Sequence, residues 1–177
     1  KEYPTIPKLK GSLITSIPAQ ILKNVCMTAV DSIAASETRP ELYGLFAQFT
    51  ESSVVFAATD SFRLVEKKLE NVNSSVKSVI IPRNTVMELV RVGGEMEGDF
   101  DIRIGDNQIS FTNTDIEIVS RLIDGTYPDY AKVIPEKTLS KVLVKSADLE
   151  KNIRLAGLFA SNIADIKLQC MDGSIAI

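Results

Sequence analysis

Ile17, Ile81 and Val144 stand 64 and then 63 residues apart, and each lies in the same local setting. An apolar, β-branched run precedes or contains it, and a stretch of helix-spaced apolar positions follows. The first unit reads Leu13-Ile14-Thr15-Ser16-Ile17-Pro18 and then Ile21, Leu22, Val25, Ala29, Val30 and Ile33. Pro18 suits the start of a helix, where a missing N–H costs nothing. The second reads Val79-Ile80-Ile81-Pro82, then Val86, Leu89 and Val90, and stops at Gly93-Gly94, which suits a helix end. The third reads Val142-Leu143-Val144-Lys145, then Leu149, Ile153, Ala156 and Ala160, with Ser146 as the expected N-cap. A repeat of this length is a supersecondary unit used several times.

Strand-like runs follow the first two helices, at 43–50, 54–59 and 62–69, then at 100–104, 108–113 and 116–122. Turn signals separate them: Glu51-Ser52-Ser53, Gly105-Asp106-Asn107 and Asn113-Thr114-Asp115. Each unit is therefore β-α-β-β-β. One unit cannot cover both its sheet and its helix, whereas two side by side can. This predicts one α+β domain over 9–136, built from repeats at about 9–74 and 75–136, with helices on one face of antiparallel sheets. Residues 137–177 read as the opening of a third unit, and 128–138, with Pro128 and Pro135, as the linker. The start at Lys1 without an initiator Met, and the stop at Ile177 in an apolar run, read as ends cut from a longer chain.

The sequence has no histidine, which removes the commonest general base and the commonest metal ligand together. Its two cysteines, Cys26 and Cys170, lie far apart with no CxxC spacing, so neither a disulfide framework nor a metal site is expected, and a reducing cytoplasm is the expected compartment. No run approaches the roughly 20 apolar residues of a membrane span, and no apolar signal segment follows Lys1-Glu2-Tyr3-Pro4. A net charge of −3 means that any contact with nucleic acid must use a local basic face. Gly93-Gly94 with Gly98 follows a helix instead of linking a strand to one, so it is no phosphate loop. Asp99 with Asp101, and Asp124 with Asp129, read as surface charge, Asp60 as a brace for its own turn, and Cys26 as a small core residue.

Three stretches carry more than architecture. Ala58-Thr59-Asp60-Ser61-Phe62-Arg63-Leu64 resembles the Thr-Asp-x-x-Arg-Leu signature in the middle domain of bacterial sliding clamps, the β subunits of the replicative polymerase. Gly125-Thr126-Tyr127-Pro128-Asp129-Tyr130, followed by Ile134-Pro135, resembles that family's interdomain stretch, and Arg39-Pro40-Glu41-Leu42-Tyr43-Gly44 its loop entering the second strand. Their order and spacing agree with the clamp's half-domain repeat. The resemblance implies a DNA clamp fold, with residues 1–8 as the tail of a first domain, 9–136 as the middle domain and 137–177 as the start of a third.

It further implies a processivity factor that rides non-specifically on duplex DNA and has no catalytic residue, cofactor or metal. The implied partners are polymerases and repair proteins, which dock by short linear motifs, and a clamp loader. Full-length relatives close a ring as a head-to-tail homodimer, which is not expected of this chain. The implied location is cytoplasmic, at the nucleoid. The peptide site carried over by motif comprises Leu42, Thr59, Ser61, Phe62, Arg63, Leu64, Pro128, Lys132 and Val133, with Arg63 and Lys132 at its rim. By spacing alone, Leu42, Leu64 and Val133 read as core residues, and it is the resemblance that turns the group towards a peptide site. Ser61-Phe62 stands where many clamps carry Gly-His, and Lys132 where Arg is frequent, which loosens rim contacts because Lys lacks a planar fork. The DNA set is Lys23, Arg39, Arg83 and Arg91, with an ordinary solvated helix face as the competing reading. Two rivals remain open: a small hydrolase or transferase using Asp60 or Asp124 as general base, and an interaction domain that never touches DNA.

Overall fold

In the computed structural model, residues 11–94, 96–138, 140–160 and 165–177 are described, so the expected first-domain tail at 1–8 lies outside the described residues. Contacts divide the chain into two compact units, ending at Tyr130 and beginning at Ala131, within the stretch that the sequence offers as a linker.

The first unit opens with β1 (Ser12–Pro18) and α1 (Ala19–Ala29). Leu22, Val25, Cys26 and Ala29 form the buried stripe of α1, as the helical spacing predicts. The helix ends earlier than the expected reach to Ile33, passing at Val30–Ser32 into a 3-10 turn. A second 3-10 turn, Pro40–Leu42, leads into β2 (Gly44–Phe49), β3 (Ser53–Thr59) and β4 (Leu64–Glu70). The second repeat gives β5 (Lys77–Pro82), α2 (Arg83–Val92), β6 (Asp99–Ile104), β7 (Gln108–Thr112) and β8 (Glu117–Arg121). Each helix follows directly on a proline, Pro18 or Pro82, whose fixed φ already suits a helix start. α2 stops at Gly93-Gly94, where a Cβ on Gly94 would fall 2.8 Å from the Lys23 amine.

The repeats do not each build a sheet of their own. One sheet runs β1-β6-β7-β8 and the other β4-β3-β2-β5. The first strand of each repeat pairs with the second strand of its companion: β1 lies antiparallel to β6, with Ile17 opposite Phe100, and β5 to β2, with Ile81 opposite Leu45. α1 packs on α2. This exchange buries both helices and the inner faces of both sheets in one core that includes Ile17, Ile81, Leu22, Leu89, Phe49, Phe56, Phe100 and Phe111.

The second unit, from Ala131 on, contains α3 (Ser146–Gly157) and a hairpin of β9 (Gln169–Met171) and β10 (Ser174–Ala176). Two expectations fail here. Residues 142–145 form no strand, because β1 and β5 obtain their ladders from a companion repeat and nothing among the described residues plays that part for 142–145. Ser146 is the first helical residue and not the cap; Lys145 holds that position without a side-chain bond.

Candidate functional site

The signature at 58–64 folds as the tight connection between β3 and β4, where Thr59 and Leu64 are the last ladder partners. Phe62 and Arg63, expected within a strand, lie in the turn, because Asp60 captures the backbone ahead of the ladder. Its Oδ1 accepts the N–H groups of Phe62 and Arg63, both at 3.0 Å, and its Oδ2 accepts from Arg63 Nε at 3.0 Å. Burial alone would raise the Asp60 carboxyl, but the N–H bonds from Arg63 and Phe62 and the Arg63 guanidinium outweigh it and hold the pKa below its ordinary value. Thr59 Oγ1 donates to the Arg63 carbonyl at 2.7 Å and accepts from Ser61 N–H at 3.1 Å. Ser61 takes a left-handed φ of 78°, a conformation that these bonds impose on a non-glycine residue. The result is a pre-formed turn with Phe62 at its tip, 97% exposed.

A small second core lies against the outer face of the β4-β3-β2-β5 sheet. Leu42, Ile80 and Tyr127 form its buried part, with Phe46, Ile123 and Tyr130 packed around them. Tyr127 stacks on Phe46 at 4.8 Å between ring centroids, and Tyr130 meets both rings edge-on. The Tyr130 hydroxyl donates to Glu66 Oε2 on β4 at 2.8 Å. Burial pushes the Tyr127 phenol up to about 12, moderated by the Thr59 backbone N–H, which faces its hydroxyl. That approach is too loose to count as a hydrogen bond, so the buried hydroxyl has no full partner among the described residues.

The structure thus brings Leu42, Thr59, Ser61, Phe62, Arg63, Leu64 and Pro128 into the first unit, around one turn and one aromatic platform. Leu42 is buried in that platform, which is the core reading of it, whereas Leu64 and Pro128 remain partly exposed. Lys132 and Val133 belong to the second unit, on the 3-10 turn Tyr130–Val133, and both are exposed. Sequence reasoning passed over Tyr127, Phe46 and Tyr130 as site-forming residues. The signal was present in the Tyr-Pro-Asp-Tyr spacing, which puts two aromatic rings within one bend.

The four DNA candidates separate. Lys23 is half-buried and lies over Gly93-Gly94 at the C-terminal end of α2, where a cation is favoured by the helix dipole. Arg91 is held by Glu88, with Nε at 3.0 Å from Oε2, and that bond lowers the Glu88 pKa. Arg83 begins α2 with its backbone N–H on the Tyr43 carbonyl, and its Nε is buried without a partner among the described residues. Arg39 reaches the turn of the peptide set instead, with NH1 3.4 Å from Ser61 Oγ and Nε 3.0 Å from Glu41. Cys26 is buried, and burial pushes its thiol up to about 12. Among the described residues no helix is long and apolar enough to cross a membrane, and no group of three or more His, Cys, Asp and Glu could hold a metal.

Residues 16–129 match the family model described as DNA polymerase III beta subunit, central domain. The beta sliding clamp of Staphylococcus aureus is 33% identical over 161 residues, a match covering 90% of this chain and 42% of the relative. Among solved structures, the DNA polymerase sliding clamp of Bacillus subtilis aligns with a TM-score of 0.83 at 30% identity, over 91% of this chain and 43% of that one. A sliding clamp from Pseudomonas aeruginosa bound to griselimycin aligns at 0.79 and 27% identity, over 88% and 43%. The chain spans less than half the length of the curated relatives it matches.

Proposed function

The chain belongs to the DNA polymerase III beta subunit family, and from that premise we propose that it serves as part of a sliding clamp, a processivity factor that docks partner proteins at the 59–64 turn. The observation that carries this reading is the pre-organised turn itself. A docking site gains affinity when its geometry is fixed beforehand, because less freedom is lost on binding. Here Asp60 and Thr59 hold the backbone, with Ser61 in the left-handed region, while Phe62 and Arg63 are exposed and Leu64 is half-buried. The ligand class is a short peptide with large apolar side chains. These would pack on Leu64, Pro128 and the edge of the Tyr127 platform, with Arg63 and Lys132 orienting the ends. Lys132 and Val133 join this site in the proposal on the strength of the family motif.

The clamp reading gives the chain no catalytic step, cofactor or metal. It also supplies the remaining partners: duplex DNA held without sequence preference, replication and repair proteins, a clamp loader, and a head-to-tail ring in full-length relatives, in a cytoplasmic, nucleoid setting. The rival with Asp60 as general base conflicts with its chemistry. Both its carboxylate oxygens are engaged and its pKa is lowered, the reverse of what a base near neutral pH needs. The test is fluorescence-polarisation binding of a labelled apolar clamp-binding peptide to this chain and to Leu64→Lys. Saturable binding that Leu64→Lys abolishes supports the reading. Binding untouched by that substitution removes the turn as the docking surface.

A further inference from the structure

One row of side chains crosses the outer face of the β4-β3-β2-β5 sheet from edge to edge. The registers place Ile80 opposite Phe46, Phe46 opposite Ala57, and Ala57 opposite Glu66, so all four share a face. Ile80 and Phe46 belong to the small outer core, and Ala57 is buried. Glu66, on the edge strand, is exposed and charged, yet it is engaged: its Oε2 accepts the Tyr130 hydroxyl at 2.8 Å. The neighbouring Lys68 amine goes to Glu70 instead, also at 2.8 Å. Between Phe46 and Glu66 the row holds the small Ala57. Tyr130 can therefore meet the Phe46 ring edge-on at 6.3 Å and still reach the edge strand with its hydroxyl.

Residues 127–130 are thus fastened at both ends. Tyr127 stacks on Phe46 of β2 at 4.8 Å, Tyr130 bonds Glu66 of β4, and the Tyr130 N–H closes the bend on the Pro128 carbonyl at 2.8 Å. Pro128 lies between these two anchors. Glu66 stands two residues from Leu64 on β4, so their side chains leave the strand on the same side. We propose that Glu66, acting through the Tyr130 hydroxyl, is a positioning residue for peptide docking: it fixes the Pro128 bend against the strand that carries Leu64, without itself touching the peptide. This inference rests on the docking reading and adds a residue that lies outside the 58–64 signature. A wall held in place before the peptide arrives loses less freedom on binding. Burial, and then the bond to Glu66, push the Tyr130 phenol above its ordinary value, so the hydroxyl keeps the proton it donates.

The experiment is fluorescence-polarisation binding of a labelled apolar clamp-binding peptide to the 177-residue chain and to five variants. These are Tyr130→Phe, Glu66→Ala, the two combined, Glu66→Gln, and Leu64→Lys as the control for the site. Thermal melting confirms that each is folded at the assay temperature. Tyr130→Phe and Glu66→Ala are each expected to weaken binding about three- to ten-fold, through loss of one charge-assisted hydrogen bond that pre-orders the wall. The combined variant should bind no more weakly than either single one, because both remove the same link. Glu66→Gln, whose carboxamide oxygen still accepts from the phenol, should stay within about two-fold of wild type. Wild-type affinity in Tyr130→Phe and Glu66→Ala, with Leu64→Lys still abolishing binding, overturns the positioning role and leaves the docking reading intact. Additive losses in the combined variant overturn it too, as does Glu66→Gln binding as weakly as Glu66→Ala, since charge and not the bond would then matter. Binding that Leu64→Lys does not reduce, or no saturable binding at all, removes the docking reading and this inference with it.

Discussion

Ile17, Ile81 and Val144 occupy the same point in three copies of one sequence pattern, yet the first two are each 1% exposed and the third 39%. The pattern is equally good in all three, since each has a β-branched run followed by helix-spaced apolar residues. What differs is the partner. In the first unit each first strand finds the second strand of a companion repeat, and the two helices cover one another. In the second unit neither contact exists among the described residues, and apolar side chains such as Val142, Leu143, Leu158 and Phe159 remain in solvent. Local sequence therefore specifies the elements of this fold, while burial, and with it stability, comes from pairing between repeats.

The sharpest way to break this comparison is truncation at the equivalent positions. Ile81→Ala and Ile17→Ala each remove a fully buried side chain and are expected to cost about 2–4 kcal/mol of unfolding free energy in urea denaturation. Val144→Ala is expected to cost well under ~1 kcal/mol, because so much of that side chain is already wet. Equal costs at all three positions would mean that the second unit is as closed as the first. Next in size is Asp60→Ala, which strips two backbone N–H groups and a guanidinium of their acceptor, for a loss of about 1–2 kcal/mol. The Asp60 pKa is lowered in the folded state, so its contribution is fully present above the ordinary carboxyl value of 3.8 and is lost as pH falls through the folded pKa below it. Wild-type protein should lose this increment in acid denaturation and Asp60→Ala should not, as stability measured across the acid range will reveal. A smaller effect of opposite sign is expected for Tyr127→Phe, which deletes a buried hydroxyl lacking a full partner and should leave stability unchanged or raise it by up to ~1 kcal/mol. A clear loss would mean that the Thr59 N–H contact is a real hydrogen bond. Finally, thiol labelling of native protein near pH 8 should modify Cys170 and spare Cys26, whose buried thiol titrates at about 12. Rapid labelling of both would show that the first unit's core opens readily.

Much of the fold was legible because its signals are local. Pro18 and Pro82 mark the starts of α1 and α2, and the turn residues at 51–53, 105–107 and 113–115 mark the hairpins. The exchange of β1 and β5 was not legible, since a strand's own sequence carries no record of which neighbour it will pair with. The same limit explains residues 142–145, where a good strand pattern has no ladder. At the candidate site, the Asp60 brace followed from the habits of Asp in turns, and the structure supplies its three bonds. The aromatic platform was hidden because Phe46 and Tyr127 lie far apart in sequence and meet only when the 122–127 segment returns to β5, where Ile123 N–H bonds the Ile80 carbonyl. For the basic residues, sequence gives positions but not pairing. Glu88 holds Arg91 and the end of α2 holds Lys23, so the helical face has less free positive charge than a count of cations suggests.

On the proposed reading, partner peptides dock at the braced turn of the first unit and not in the open groove of the second. Hydrogen–deuterium exchange on this chain with and without a saturating apolar clamp-binding peptide decides it. New protection is expected at residues 59–64 and 127–133, with α3 and the β9–β10 hairpin exchanging as before. Protection confined to residues 141–177, with the turn unchanged, would contradict it.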